Sequence, residues 1–370
     1  MAIRLAIANR RRLVVTLVGA ALAVALIIYQ TFLIVGFIAS ATAMAKGIDA
    51  DIWVVAHQAQ AFDFSAPTRR DHAFTIRGIA GVASAEPVLT GFINGTRSDG
   101  TPVVLAIAGI PIERFRIDAG KQVRMSALPE SDRFAFVDRT ALKDFSVDAT
   151  PFELEIGGER VALTHTMDGY ATFLGSPFLA TSFTNAQRWL RIPDGSTGIA
   201  VWVSPDSDAE TVIGAIRTVY PELSVFSADE YARRSALFWL TRTGAGGGLL
   251  LSAVLGLGIG LLIISQNLYA SVLESMQQYI TLRAMGFHAR TLALIVMAQS
   301  VAIALAAGLI GTVLAYIFSS LTKAFVLGWI AQPIAVPLLT MVLCAFMGLI
   351  SSTSAIRLIH RLEPANALRQ

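Results

Sequence analysis

The run "TGAGGGLLLSAVLGLGIGLLIISQNLYASVL", residues 243–273, decides the class of this chain because it contains no Asp, Glu, Lys or Arg. Three further charge-free runs cover residues 13–45, 291–322 and 324–356. A bilayer core roughly 30 Å thick needs about 20 helical residues, so each run is long enough to cross it once. The chain is 54% hydrophobic and only 15% charged, as expected of a membrane protein.

The first charge-free run has an alternative interpretation as a secretory signal. It follows Arg10, Arg11 and Arg12 and ends in the small residues "ASATAMA" at 39–45. The apolar part of a signal peptide is only about 7–15 residues long, whereas this run is much longer. The length favours a retained transmembrane helix.

Orientation follows from the basic residues beside the predicted spans. Lys and Arg lie at the N-terminus, in loop 269–290 and at the C-terminus, whereas loop 321–334 contains only Lys323. Because basic loops stay cytoplasmic, both termini and loop 269–290 are predicted to be cytoplasmic. Residues 46–242 carry 19 basic and 24 acidic residues, so the external part is acidic. Basic residues that border spans do not form a nucleic-acid groove, and no nucleic-acid partner is expected.

The predicted fold is an integral membrane α-helical protein with four transmembrane helices and a large α+β extracytoplasmic domain inserted between helices 1 and 2. In order, the predicted segments are an N-terminus (1–12), helix 1 (13–40), an external α+β domain ending in a stalk helix (41–235), helix 2 (236–268), a cytoplasmic amphipathic helix (269–290), helix 3 (291–320), an external loop (321–334), helix 4 (335–357) and a tail (358–370).

The external domain alternates between strand and helix patterns. Two apolar-rich runs flank an Asp-Gly turn at 99–100, and "FELEIGGERVAL" repeats that design around Gly157 and Gly158, so both predict β-hairpins. "PTRRDHAFTIRGI" predicts a short helix opened by Pro67, and "DAETVIGAIRTVY" an amphipathic helix. Ser227 predicts a helix start, with Glu230 as the capping-box acid.

No catalytic or metal-binding pattern is recognisable in the sequence. The single cysteine, Cys344, lies in the fourth charge-free run, and the histidines show no metal-ligand spacing. "LGSPF" at 174–178 lacks the G-x-S-x-G elbow of serine hydrolases, and there is no nucleotide-binding G-x-x-x-x-G-K-[ST] motif. The spans contain no charge that an ion or proton pathway would use. A non-enzymatic protein without a cofactor of its own is therefore predicted.

The stalk region 227–242 leads towards the second span, and we predict that the two form one continuous helix. Its aromatic residues Tyr231, Phe238 and Trp239 are predicted at the membrane interface, where aromatic side chains are favoured. An amphipathic lid over the bilayer is the alternative. Within the second span, two G-x-x-x-G pairs predict close packing on another helix, in the same chain or across a dimer; they are Gly244 with Gly248 and Gly256 with Gly260.

The stretch "SVLESMQQYITLRAMGF", residues 271–287, lies between two spans but is too polar for lipid. Its apolar residues recur at near-helical spacing, and Gly286 is placed to end the helix. A short amphipathic helix on the cytoplasmic side is typical of a contact site for a partner.

The order of these features resembles the MacB/FtsX/LolC superfamily of ABC transporter permeases, and within it the DevC-type permeases. The resemblance covers most of the chain. Its most specific part is "QYITLRAMGF" (278–287); "ADIWVV" (50–55), "VDRTALKDF" (137–145), "FLGSPFLATS" (173–182), "FWLTRTG" (238–244) and "RLEPANALR" (361–369) follow the family's order. One departure is that Gln277 and Gln278 stand where the family often has a carboxylate, while Glu274 lies one turn earlier.

The resemblance implies a permease subunit of a bacterial inner membrane, whose external domain (41–235) is MacB-like and lies in the periplasm. This subunit would transmit force from a separate cytoplasmic ATPase, which binds the ATP and Mg, through a coupling helix (269–290) to that domain. It further implies a second permease copy, a periplasmic membrane-fusion adaptor, a TolC-like outer-membrane channel, membrane lipid, and a lipidic or amphiphilic cargo. The implied ATPase contacts are Glu274, Gln278, Tyr279, Leu282, Arg283, Met285, Gly286 and Phe287.

Two alternatives remain open from the sequence. An FtsX-like chain would regulate a periplasmic enzyme and move no solute, and a LolC-like chain would sort lipoproteins. The G-x-x-x-G pairs do not distinguish a homodimer from a heterodimer.

Overall fold

The computed structural model describes residues 10–57, 59–62, 65–118, 121–122, 133–274, 281–282 and 285–361. Its elements in chain order are α1 (Arg10–Gly47), β1 (Ile52–Ala56), β2 (Thr68–Arg69), α2 (His72–Arg77), β3 (Val82–Thr96), β4 (Pro102–Ile110), β5 (Arg116–Asp118), β6 (Lys121–Gln122), β7 (Phe134–Asp138), β8 (Phe152–Ile156), β9 (Glu159–Met167), β10 (Phe178–Ser182), α3 (Phe183–Leu190), β11 (Gly195–Ser196), β12 (Gly198–Val203), α4 (Ala209–Val219), β13 (Leu223–Ser227), α5 (Ala228–Arg242), α6 (Gly244–Glu274), α7 (Ala289–Phe325) and α8 (Ala335–Arg361).

The chain divides into two compact units. The first, called here the membrane unit, contains Met1–Gly36, Gly248–Val326 and Ile330–Gln370. The second, the external unit, contains Phe37–Gly247 and Leu327–Trp329. The large insertion predicted from the sequence thus exists as a unit of its own.

Among the residues that the structure describes, three helices are long and apolar enough to cross a membrane: Val14–Gly47, Gly244–Gln266 and Arg290–Phe325. α8 is helical over 27 residues, but among the described residues its apolar stretch is the shorter Ala335–Met347. Helices that suit a bilayer, together with a large α+β unit, are therefore confirmed. The fourth span remains a prediction.

One half of the external unit is an antiparallel sheet in the order β13-β1-β12-β3. α2 connects β1 to β3 and α4 connects β12 to β13, which is the ferredoxin-like βαββαβ arrangement. α2 and α4 cover one face of this sheet and bury Ile76, Ile213 and Ile216 against its strands. Asp208 begins α4 by accepting a hydrogen bond from the Thr211 N–H at 3.1 Å.

The other half is a small closed barrel in the strand order β3-β4-β10-β7-β9-β8, which closes where β8 pairs with β3. Gly95 permits this closure, because a Cβ there would lie 2.7 Å from Leu105 Cδ1 and 3.0 Å from the Glu155 carbonyl oxygen. Inward-facing apolar side chains fill the barrel, among them Leu89, Leu105, Val137, Leu163 and Leu179.

Both predicted hairpins are confirmed. Thr96 pairs with Pro102 at the end of β3–β4, and Ile156 pairs with Glu159 at the end of β8–β9. The parallel pairs β4–β10 and β7–β9 were not predicted. The predicted opening of α2 at Pro67 is wrong, because Thr68 and Arg69 form β2 against β11 and the helix begins only at His72.

The prediction of one continuous helix from the stalk into the second span is also wrong. α5 ends at Arg242, Thr243 is extended (φ −111°, ψ 149°), and α6 begins at Gly244, not at residue 236. The Thr243 hydroxyl accepts from the Gly246 N–H at 3.1 Å and donates to the Trp239 carbonyl oxygen at 2.6 Å. Thr243 therefore caps both helices, and the glycines that follow it favour helix continuation only weakly.

Candidate functional site

The candidate contact site for a partner is the segment after α6. The structure describes it in part: α6 ends at Glu274, and Gln278, Tyr279 and Arg283 lie outside the described residues, as does the Glu274 side chain. Met285 is 64% exposed and Phe287 39% exposed. Two exposed apolar side chains so close together suit contact with another protein.

The end of this segment has the geometry of a helix C-terminus. Gly286 is left-handed (φ +93°), and the Phe287 N–H donates to the Leu282 carbonyl oxygen at 3.2 Å. The Met285 N–H donates to the Thr281 carbonyl oxygen at 3.0 Å. These are the features of a Schellman cap, in which a left-handed residue, here glycine, closes the helix. The predicted helix end at Gly286 is thus confirmed.

Leu282 does not present its side chain to a partner. It is only 5% exposed within its own chain, so its burial contributes to packing of the membrane unit. The predicted role of Leu282 as an exposed contact is corrected accordingly. Among the described apolar members of the predicted set, Met285 and Phe287 remain available for contact.

The second glycine pair packs inside the chain. A Cβ at Gly260 would lie 2.9 Å from Ile27 side-chain atoms of α1 and 3.3 Å from the Ala23 carbonyl oxygen. A Cβ at Gly256 would lie 3.2 Å from the Gln30 side chain, and Gln30 Nε2 donates to Ser252 Oγ at 3.1 Å. The close partner of this pair is therefore α1 of the same chain.

The first glycine pair is open. In the part of the chain that the structure describes, nothing lies within 4 Å of a Cβ built at Gly244 or Gly248. α7 contributes a contact that the sequence analysis missed: a Cβ at Gly311 would lie 2.7 Å from the Ala21 carbonyl oxygen. α1 therefore packs against both α6 and α7 in the membrane unit.

The predicted stalk aromatics lie mainly in the core of the external unit. Tyr231 is 1% exposed and stacks on Phe226, with ring centroids 6.0 Å apart and planes 5° apart. Trp239 is 4% exposed and meets the Phe173 ring edge-on at 4.5 Å. These two rings therefore pack inside the protein and are not exposed to lipid as predicted, while Phe238 is half-buried beside Trp239. The same aromatic enrichment fits both a core and an interface.

Asp138 is a buried acid that the sequence analysis quoted within "VDRTALKDF" but gave no role. It is 1% exposed and accepts hydrogen bonds from the N–H groups of Thr140 at 2.9 Å and Tyr170 at 2.8 Å. Desolvation raises the pKa of its carboxyl, although these hydrogen bonds act in the opposite direction. Asp138 caps the 3₁₀ helix Arg139–Phe145 and ties it to the loop that follows β9.

Within the described residues, no group of three or more His, Cys, Asp or Glu side chains is placed to hold a metal ion. His165 contacts the Phe136 ring and His72 contacts the Tyr220 ring, at 5.3 and 4.6 Å. These two histidines therefore have aromatic packing partners.

Comparison with known proteins gives one family match, which lies in the region of α6, α7 and α8. Residues 250–364 match the family described as "FtsX-like permease C-terminal". No curated protein sequence matches the chain. The periplasmic region of MacB from Actinobacillus actinomycetemcomitans is similar at 10% identity and a TM-score of 0.39, covering 50% of this chain and 91% of that structure. The extracellular domain of the ABC-type transporter YknZ from Gram-positive bacteria is similar at 9% identity and a TM-score of 0.33, covering 48% and 98%.

Proposed function

We propose that this chain, whose residues 250–364 form an FtsX-like permease domain of the MacB/FtsX/LolC superfamily, is the membrane subunit of an ABC system whose ATPase is a separate protein. The match covers α6 from residue 250 onward, the segment after it, α7 and α8. It includes the site that the sequence suggested for contact with an ATPase.

The observation that carries this proposal is the exposed pair Met285 and Phe287 beside the cap at Gly286. Two exposed apolar side chains at a capped helix end suit insertion into a hydrophobic groove on a partner protein. Glu274, Gln278, Tyr279 and Arg283 are proposed to surround it. Their polar groups would form hydrogen bonds at the rim of the contact.

The proposed topology has four spans with both termini in the cytoplasm of a bacterial inner membrane. The three helices of spanning length support it, and α8 is the proposed fourth. In this arrangement the external unit lies in the periplasm. The ATPase contact then lies on the opposite side of the membrane, so ATP-driven movement must pass along the helices.

The proposed activity is mechanotransmission in an exporter of the DevC type. A second copy of the chain, a periplasmic adaptor and an outer-membrane channel would complete it, with a lipidic or amphiphilic compound as cargo. The absence of charged residues from the apolar runs supports force transmission over ion conduction. Regulation of a periplasmic enzyme and lipoprotein sorting use the same membrane architecture and remain the alternatives.

The first experiment is purification of the C-terminally tagged chain from native membranes in mild detergent, with identification of the bound proteins by mass spectrometry. An ABC ATPase together with an adaptor is the expected result. An ATPase with a periplasmic hydrolase or a lipoprotein carrier would replace export by one of the alternatives. Recovery of the intact chain without any ATPase would overturn the proposal.

A further inference from the structure

The loop between α7 and α8 does not group with the helices that it connects. Its residues Leu327–Trp329 belong to the external unit, although Val326 before them and Ile330 after them belong to the membrane unit. The sequence predicts this stretch only as part of a short periplasmic loop. Its assignment to the external unit rests on two sets of contacts.

The first set is a chain of four aromatic rings, called here the aromatic clasp: Trp329, Phe37, Phe173 and Trp239. The Trp329 ring meets the Phe37 ring at 6.1 Å and 73°. Phe37, in the C-terminal third of α1, contacts Phe173 at 4.5 Å, and Phe173 contacts Trp239 of α5 at 4.5 Å. Phe37 is only 3% exposed. The clasp therefore joins the loop to α1, to the segment after β9 and to α5.

The second set involves Gly328. A Cβ at this position would lie 2.8 to 3.1 Å from three side-chain atoms of Thr140, so a larger residue would push the loop away. Thr140 is held in turn by Asp138, which also binds the Tyr170 N–H. One residue further, the Ala171 carbonyl oxygen accepts from Ser40 Oγ of α1 at 2.6 Å. Gly328 thus rests on a hydrogen-bonded joint between the barrel and α1.

We propose that Leu327–Trp329 is a third tether of the external unit, in addition to the two covalent connections through α1 and α5. This inference rests on the proposed function, because it assigns the route by which movement of α7 and α8 reaches the external unit. The tether stays closed throughout the cycle and carries force through Trp329 to Phe37 and through Gly328 to Thr140. If only α1 and α5 connected the external unit to the membrane helices, the barrel would not follow a movement of α7 and α8 directly.

The contact itself is tested by disulfide formation in native membranes. In a Cys344→Ala background, Gly328→Cys is combined with Thr140→Cys, since the two Cβ positions approach closely enough for a disulfide after a small adjustment. The matched control is Phe325→Cys with Thr140→Cys, because Phe325 is 79% exposed. Oxidation is expected to cross-link the first pair with and without ATP and to leave the control unlinked. Equal cross-linking of both pairs, or of neither, would overturn the tether.

Force transmission is tested with a fluorescent label at Phe74→Cys, a 65% exposed position of the external unit, in membranes that contain the partner ATPase. ATP should change the fluorescence of the otherwise unaltered chain. Trp329→Ala should reduce that change severalfold, because it removes the ring through which the loop contacts Phe37, and Phe325→Ala should preserve it. The cross-linked 328–140 pair should also preserve it, because the tether does not open.

The two proposals fail in different ways. A label that never responds to ATP would refute ATP-driven movement of the external unit, and the cross-linking result would then decide the tether by itself. A response that is equal in Trp329→Ala and the unaltered chain would overturn the tether and keep the proposed function. Loss of the response on cross-linking would show a clasp that must open, which contradicts a permanent tether. Gly328→Val, which displaces the loop without removing a core ring, provides a second variant should Trp329→Ala fail to fold.

Discussion

Tyr231→Ala tests whether α5 belongs to the core of the external unit. The side chain is 1% exposed, it stacks on Phe226, and its ring centre lies 5.8 Å from that of Trp53. Truncation of a large buried aromatic residue to alanine destabilises by about 3–5 kcal/mol, since apolar burial is lost and a cavity remains. The matched control is Leu237→Ala on the same helix, where the side chain is 53% exposed.

The assay is thermal unfolding of the full chain in detergent, followed by tryptophan fluorescence. For a unit of roughly 200 residues, each kcal/mol shifts the midpoint by about 2–4 °C, so Tyr231→Ala should lower it by roughly 10 °C. Leu237→Ala should change it by about 1 °C or less, because exposed substitutions usually stay within ±0.5 kcal/mol. Equal and small shifts for both variants would refute the core position of Tyr231 and restore the membrane-interface interpretation.

The remaining predictions concern the membrane helices, the partner contact and the buried acid. Gly260→Val should destabilise the packing of α6 on α1 by about 1–3 kcal/mol, seen as earlier unfolding in detergent, whereas Gly248→Val should have no such effect. Phe287→Asp should reduce the amount of ATPase that co-purifies by about tenfold, the effect of 1.4 kcal/mol, while Phe325→Asp should leave it unchanged; equal recovery would contradict the contact site. The pKa of Asp138 is raised in the folded state, so protonation of its carboxyl stabilises the fold. This stabilisation is lost as the pH rises through the folded-state pKa. On acidification towards the ordinary value of 3.8, the chain should therefore gain stability relative to Asp138→Asn, and pH-independent differences in the unfolding midpoint would contradict this.

Local patterns in the sequence predicted local structure well. The turns at Gly100 and Gly157 predicted both hairpins, and Ser227 accepts from the Glu230 N–H at 3.3 Å as the predicted helix start requires. Barrel closure was not predictable in the same way. It depends on pairing Gly95 with Ile156, which are distant in sequence, and no turn residue marks such a contact.

The errors at the stalk aromatics and at Leu282 have one physical origin, which is that the same residue type suits two environments. An aromatic residue beside a membrane suits both lipid and a protein core, and only the fold decided that Tyr231 and Trp239 are buried. A G-x-x-x-G pair predicts a close helix without naming it, and the structure identifies α1 as the partner of Gly256 and Gly260. For the candidate site, the sequence predicted the helix end at Gly286 but not the burial of Leu282, because near-helical spacing does not say which face packs inward.

The polypeptide chain passes from the ferredoxin-like sheet into the barrel near Thr90 and returns to the sheet beside it, at Thr197. The Thr197 N–H donates to the Val88 carbonyl oxygen at 2.8 Å, and the Thr90 N–H donates to Thr197 Oγ1 at 2.9 Å. The two ends of segment 90–196 are therefore adjacent, and the four-stranded ladder is continuous on either side of them. Such a layout lets the segment be enlarged or shortened from one point of insertion while the strands joined to α1 and α5 keep their order. A replacement would have to keep the contacts that Thr140, Ala171 and Phe173 make outside the barrel.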